Sequence, residues 1–185
     1  MLHKGMSKQD IENELKNSGD FVQIDHLTRF MKEDLPTDTK RFVCMKLCEI
    51  YEKKNMYSEA AKMADSAAIY TIPFSDKIKS YVKEVELYIK AGFFDRADEA
   101  MKKAIGQANN KERVEIYSAI KEFYKKQAEV YEKELRRANA VRVYEKLLEM
   151  NITDIERKEI KEKLLDLYDK LGKVKEFLTL KKSLE

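Results

Sequence analysis

Glycine and proline are scarce in this 185-residue chain, at five and two. That scarcity leaves no room for a turn-dense fold, and with lysine and glutamate dominating the 38% charged residues it fits an all-helical protein with short connections. Cysteine occurs twice, and Cys44 and Cys48 lie one helical turn apart. Two residues so close in sequence cannot form a secreted disulfide framework, and both are expected as small buried core residues. The only histidines are His3 and His26. With no glycine-rich phosphate loop, no HExxH pair and no nucleophile elbow, no catalysis, metal or cofactor is expected. No apolar run approaches the roughly 18 residues of a membrane span, and MLHKGMSKQD leads into no apolar segment of signal-peptide length, so a cytoplasmic protein is expected. An excess of one charge sign is also missing: 37 basic and 34 acidic residues are interspersed, for a net +3. Such a balance creates no strong field for nucleic acid.

What the chain does have is an internal repeat. Tyr51, Tyr88, Tyr131 and Tyr168 each open a similar string, and a fainter copy starts at Leu15. The five anchors are 36, 37, 43 and 37 residues apart. A unit of that length is one helical hairpin that cannot bury its apolar side alone, so stacked copies share a core. The expected fold is an all-α solenoid of about five hairpins and about ten helices. The hairpins are expected near 8–35, 38–71, 75–108, 111–150 and 154–184 within one domain over 1–185.

Each recurring offset has a physical task. Four residues after the tyrosine the chain must leave the first helix, and Asn55, Gly92 and Gly172 tolerate the left-handed backbone that ends it. Leu135 stands there in the Tyr131 copy and makes that turn the least regular of the set. Tyr57 and Phe94, at offset six, fill the mouth between the two helices. Ala60, Ala97 and Ala140 at offset nine, and Ala67 and Ala104 at sixteen, lie where helices approach closely. The last copy has Phe177 at offset nine, as a terminal repeat with a different neighbour would. The extra length before Tyr131 carries the stripe Tyr117, Ile120, Phe123, Tyr124, Ala128 and Tyr131, read as core. Ser7 with Asp10 and Thr153 with Glu156 have capping-box spacing.

These residues resemble the tetratricopeptide repeat family, most closely over 40–108, and the long spacing resembles the elongated variants of the soluble membrane-fusion adaptors. The resemblance implies that the α-solenoid is a right-handed superhelix, with a concave groove that binds peptides, helices or other proteins, without catalysis. Placed on that groove by helical periodicity are Phe42, Met45, Glu49 and Glu52 in the Tyr51 copy, and Lys79, Val82, Glu86 and Ile89 in the Tyr88 copy. Lys125 and Glu129, with Glu122 and Glu132, hold these places in the Tyr131 copy. Two alternatives stay open for the apolar members: an exposed strip fitting an amphipathic helix with basic flanks, or ordinary core covered by the N-terminal hairpin or a tight superhelix. In the family, the clamp for terminal carboxylates has Asn where this chain has Glu49, Glu86, Glu129 and Asp166, so such carboxylates are not expected partners.

The same acids precede Lys53, Lys90, Lys133 and Lys170 by four residues, an order that supports helices through i, i+4 pairing. The basic clusters at Lys125 and Lys126, at Arg136, Arg137 and Arg142, and at Lys181 and Lys182 are flanked by Glu and read as solvated faces. No helix combines a broad apolar face with a strongly basic one, as membrane-surface helices do. The leading expectation is a non-catalytic adaptor or scaffold that binds a protein or an amphipathic peptide. A nucleic-acid-associated factor and a self-associating helical block are the alternatives.

Overall fold

A computed structural model of the chain describes residues 2–184. Ten α-helices and no strands are found among them, in the order α1 (Lys8–Leu15), α2 (Asp20–Phe30), α3 (Thr37–Lys53), α4 (Tyr57–Ile69), α5 (Phe74–Ala91), α6 (Phe94–Gln107), α7 (Asn110–Lys133), α8 (Arg137–Glu149), α9 (Asp154–Lys170) and α10 (Val174–Lys182). The all-α class and the number of helices agree with the expectation. The chain divides into two compact units, one through Ile116 and one from Tyr117 onward, so the division falls inside α7. In the first unit α2 packs on α3, α3 on α4, α4 on α5 and α5 on α6; in the second, α9 packs on both α8 and α10.

The four tyrosine copies end their first helices in the same way. Asn55, Gly92, Leu135 and Gly172 all have positive φ, at 57°, 76°, 57° and 67°. In each copy the amide five residues beyond the tyrosine donates to the tyrosine carbonyl: Met56 to Tyr51, Phe93 to Tyr88, Arg136 to Tyr131 and Lys173 to Tyr168, at 2.8–2.9 Å. The left-handed residue donates to the carbonyl one after the tyrosine, as in Gly92 to Ile89 at 3.0 Å. This is the Schellman pattern, which satisfies carbonyls the helix leaves over. Leu135 therefore keeps the turn its neighbours make, against the preference of its own side chain. Left-handed backbone costs a residue with a Cβ roughly 1–2 kcal/mol, and glycine gives back roughly 0.5–1 kcal/mol of that through its freer unfolded chain. Since Leu135 is also exposed, Leu135→Gly is expected to stabilise the protein by about 0.5–1 kcal/mol in urea denaturation. A loss of stability would show that the leucine side chain holds the turn.

The Leu15 copy differs. Gly19 has extended backbone and caps the start of α2, and Phe21 is exposed. The capping boxes expected at Ser7 and Thr153 both form, and Asn109 builds a third with Glu112 at the start of α7. Alanines at offsets nine and sixteen, Ala60, Ala97, Ala140, Ala67 and Ala104, are all buried, and Phe177 in the last copy is half-buried. On α7 the buried stripe runs Ile116, Ile120, Tyr124, Ala128 and Tyr131, while Tyr117 lies outside it and is exposed. Cys44 and Cys48 are free and buried, and burial pushes both thiols up to about 11.

Candidate functional site

α3 and α5 run side by side along the first unit, tied by charge. Glu52 of α3 accepts from Lys83 and Lys90 of α5 at 2.9 and 2.8 Å, and Glu86 accepts from the same two lysines at 3.0 and 2.6 Å. Burial alone would raise the carboxyls of Glu52 and Glu86, but hydrogen bonds from Lys90 and Lys83 outweigh it and hold both below the ordinary glutamate range. Desolvation works against the ammonium groups of Lys83 and Lys90 as well, and the two glutamates more than compensate. Near the other end of the pair, Arg41 of α3 meets Asp76 of α5 at 3.5 Å.

Between these two ties, α3, α4 and α5 enclose a cleft of about 390 Å³. Small residues make it: Ala64 and Ala67 of α4 and Cys48 of α3 are buried along its floor, and side chains of that size leave the space open. Met45 stands at its wall, 44% exposed. Glu49 on the α3 side and Lys79 on the α5 side are both largely solvated. The Nε–H of Arg41, in the same wall, is buried without an acceptor.

Of the residues the helical periodicity placed on a groove, Met45, Glu49, Glu52 and Lys79 line this cleft. Phe42 does not: it is half-buried and packs against the N-terminal core of Ile11, Leu15, Leu27 and Phe30. Val82 is half-buried, and Ile89 is only 1% exposed. The exposed apolar strip of Phe42, Met45, Val82 and Ile89 is therefore not formed, because α1 and α2 cover its first member and α5 is sandwiched between α4 and α6. Glu86 belongs to the charge network rather than the cleft lining.

Lys125 and Glu129 lie in the second unit. Lys125 is bound to Glu156 of α9 at 2.7 Å, and Lys121 reaches the same carboxylate at 2.9 Å. The Lys125 hydrogen bond, then that of Lys121, holds Glu156 far below the ordinary glutamate range. Glu129 is exposed. A second cleft, of about 360 Å³, is lined by Glu132, Glu159, Glu162, Lys163 and Asp166. There Lys163 donates to Tyr144 at 2.9 Å, and Tyr144 donates to Glu132. Among the i, i+4 pairs, Glu86 with Lys90 and Asp166 with Lys170 form at 2.6 Å each, whereas Lys53 turns to Asp20 at 2.9 Å and Glu49 to Lys46 at 3.6 Å.

Sequence reasoning missed Glu84. It lies four residues before Tyr88, where the Tyr51 and Tyr168 copies have Leu47 and Leu164, and its side chain is 4% exposed. Lys103 of α6 reaches it at 3.1 Å and Asp65 of α4 at 2.7 Å. Burial first, then the negative charge of Asp65, pushes the Glu84 carboxyl up to about 7, and the Lys103 hydrogen bond offsets only part of this. No described helix is long and apolar enough to cross a membrane. No known protein-family model matches the chain, and no curated protein sequence matches it.

Proposed function

We propose that this chain is a non-catalytic interaction module, a right-handed helical-repeat solenoid of five hairpins like the tetratricopeptide repeat proteins, working in the cytoplasm. Its partner is an amphipathic peptide or helix that places one apolar side chain in the cleft between α3, α4 and α5. The observation that carries this reading is the cleft itself: an apolar floor of Ala64, Ala67 and Cys48, with Met45 available at the wall. A flexible thioether at the mouth of an apolar pocket adapts to partners of differing shape. Glu49 and Lys79 on opposite rims suit a partner with a basic residue toward α3 and an acidic one toward α5. The recurring Schellman turns support the repeat assignment. Of the cations in the basic clusters, Lys125 pairs with Glu156 and Arg136 with Glu134.

Peptides selected from a displayed library of random amphipathic helices supply the probe. Met45→Ala is expected to weaken their binding roughly tenfold, the effect of losing one well-placed apolar contact. Its melting temperature should stay close to that of the parent, since Met45 is partly solvated. Selected peptides that bind Met45→Ala as well as the parent would remove the cleft from the reading.

A further inference from the structure

The turn between α4 and α5 carries three large apolar side chains that the interior does not use. Within six residues Ile69 is 64% exposed, Ile72 85% and Phe74 68%, and Pro73 between them fixes the backbone. They stand at the end of the first unit where α3 and α5 begin: the Lys40 ammonium lies 5.8 Å from the Tyr70 ring, and Arg41 meets Asp76. Both helices start from prolines, Pro36 and Pro73, with no side-chain cap. Their first-turn N–H groups and the positive ends of their dipoles therefore face the same side as the apolar tip. Lys77 follows Phe74 by one helical turn, and Lys40 lies in the first turn of α3. The acids nearby are engaged, Asp76 with Lys79 at 3.1 Å and Asp38 with Lys8 at 2.6 Å.

We infer that this turn is a peripheral membrane-docking element: Ile69, Ile72 and Phe74 enter the surface of an anionic lipid bilayer, while Lys40, Lys77 and the open starts of α3 and α5 meet its phosphates. Exposed apolar side chains with Lys40 and Lys77 nearby match a layer that is apolar inside and negative outside. A second copy of the chain is a poorer occupant. Three side chains offer a few hundred Å² at most, short of the roughly 800 Å² per partner of a stable protein interface. The element differs from a membrane-surface helix, since the insertion is by a turn, and none of its docking residues lines the cleft between α3, α4 and α5.

The chain has no tryptophan, so Ile72→Trp places a single reporter at the tip. Vesicles of phosphatidylcholine with about a third phosphatidylserine are expected to shift its emission to the blue and to sediment the protein. Pure phosphatidylcholine should do so weakly, and 0.5 M salt should reduce binding. Ile72→Ser with Phe74→Ser, in the otherwise unchanged chain, should weaken vesicle binding at least tenfold with an unaltered melting temperature, because both positions are solvated. Met45→Ala should bind vesicles like the parent, which keeps this test independent of the peptide cleft. Absence of sedimentation with every vesicle, or sedimentation that survives the double serine substitution, would overturn the inference. So would a concentration-dependent dimer in sedimentation velocity that the same substitution dissolves, since the patch would then be a contact between copies.

Discussion

Ile89→Ala is expected to cost about 2–5 kcal/mol in urea denaturation, the range for truncating a large aliphatic side chain in a packed core. Ile89 is almost fully enclosed, beside the buried Leu87 and Tyr88 on α5. Helical periodicity put it and Met45 on the groove faces of two different first helices, yet the two have different tasks. Met45→Ala should change stability by less than about 1 kcal/mol, because a solvated side chain has little burial to lose. The comparison separates a cleft residue of α3 from a core residue of α5. A loss below about 1 kcal/mol for Ile89→Ala would mean that α5 is not packed on both sides.

The second large effect is a dependence on pH that Glu84 introduces. Its folded-state pKa is raised from 4.5 to about 7. Between these values the folded state holds a proton that the unfolded state has released, so stability falls as pH rises through the window and levels off above it. A shift of that size corresponds to roughly 3 kcal/mol between pH 4.5 and 8. The groups facing Glu84 are Lys103 and Glu99 from α6, Asp65 from α4, and Tyr81 and Tyr88 on α5 itself. Glu84→Gln keeps the shape and removes the titration. Its stability should track the parent near pH 5 and exceed it by about 2–3 kcal/mol at pH 8, the size of the lost ionisation cost. Lys103 keeps Asp65 and is 41% exposed, so it is not stranded by the change. The carboxyls held low by their lysines, Glu52, Glu86 and Glu156, lose their stabilisation only as pH falls below the window and leave the comparison intact. Parallel curves for the two proteins from pH 5 to 8 would show that the Glu84 carboxyl is not desolvated.

The ends of the four tyrosine helices were legible because their turns need particular backbone. A residue such as Asn55 or Gly92 announces the left-handed position, and Ala60, Ala97 and Ala140 announce close helix contacts. Leu135 defeats that logic locally, since there the neighbouring hydrogen bonds impose a conformation its side chain resists. The site was legible only in part. Periodicity tells which residues share a helix face but not what lies against that face, so Met45, Glu49 and Lys79 reached the cleft while Phe42 went under α1 and α2. Glu84 left a readable sign, an acid in an otherwise apolar position of the repeat, and the sign lay in the comparison with Leu47 and Leu164. Lys125 gave none, because its partner Glu156 lies 31 residues away and only folding brings them to 2.7 Å.

The most direct test of the proposed function is methyl NMR of the protein labelled at methionine and alanine, titrated with a peptide selected from the amphipathic-helix library. Met45 and the buried floor methyls of Ala64 and Ala67 should shift or broaden together as the peptide is added, while Ala140 in the second unit stays in place. Saturable peptide binding that leaves Met45, Ala64 and Ala67 unmoved would contradict the cleft as the recognition site.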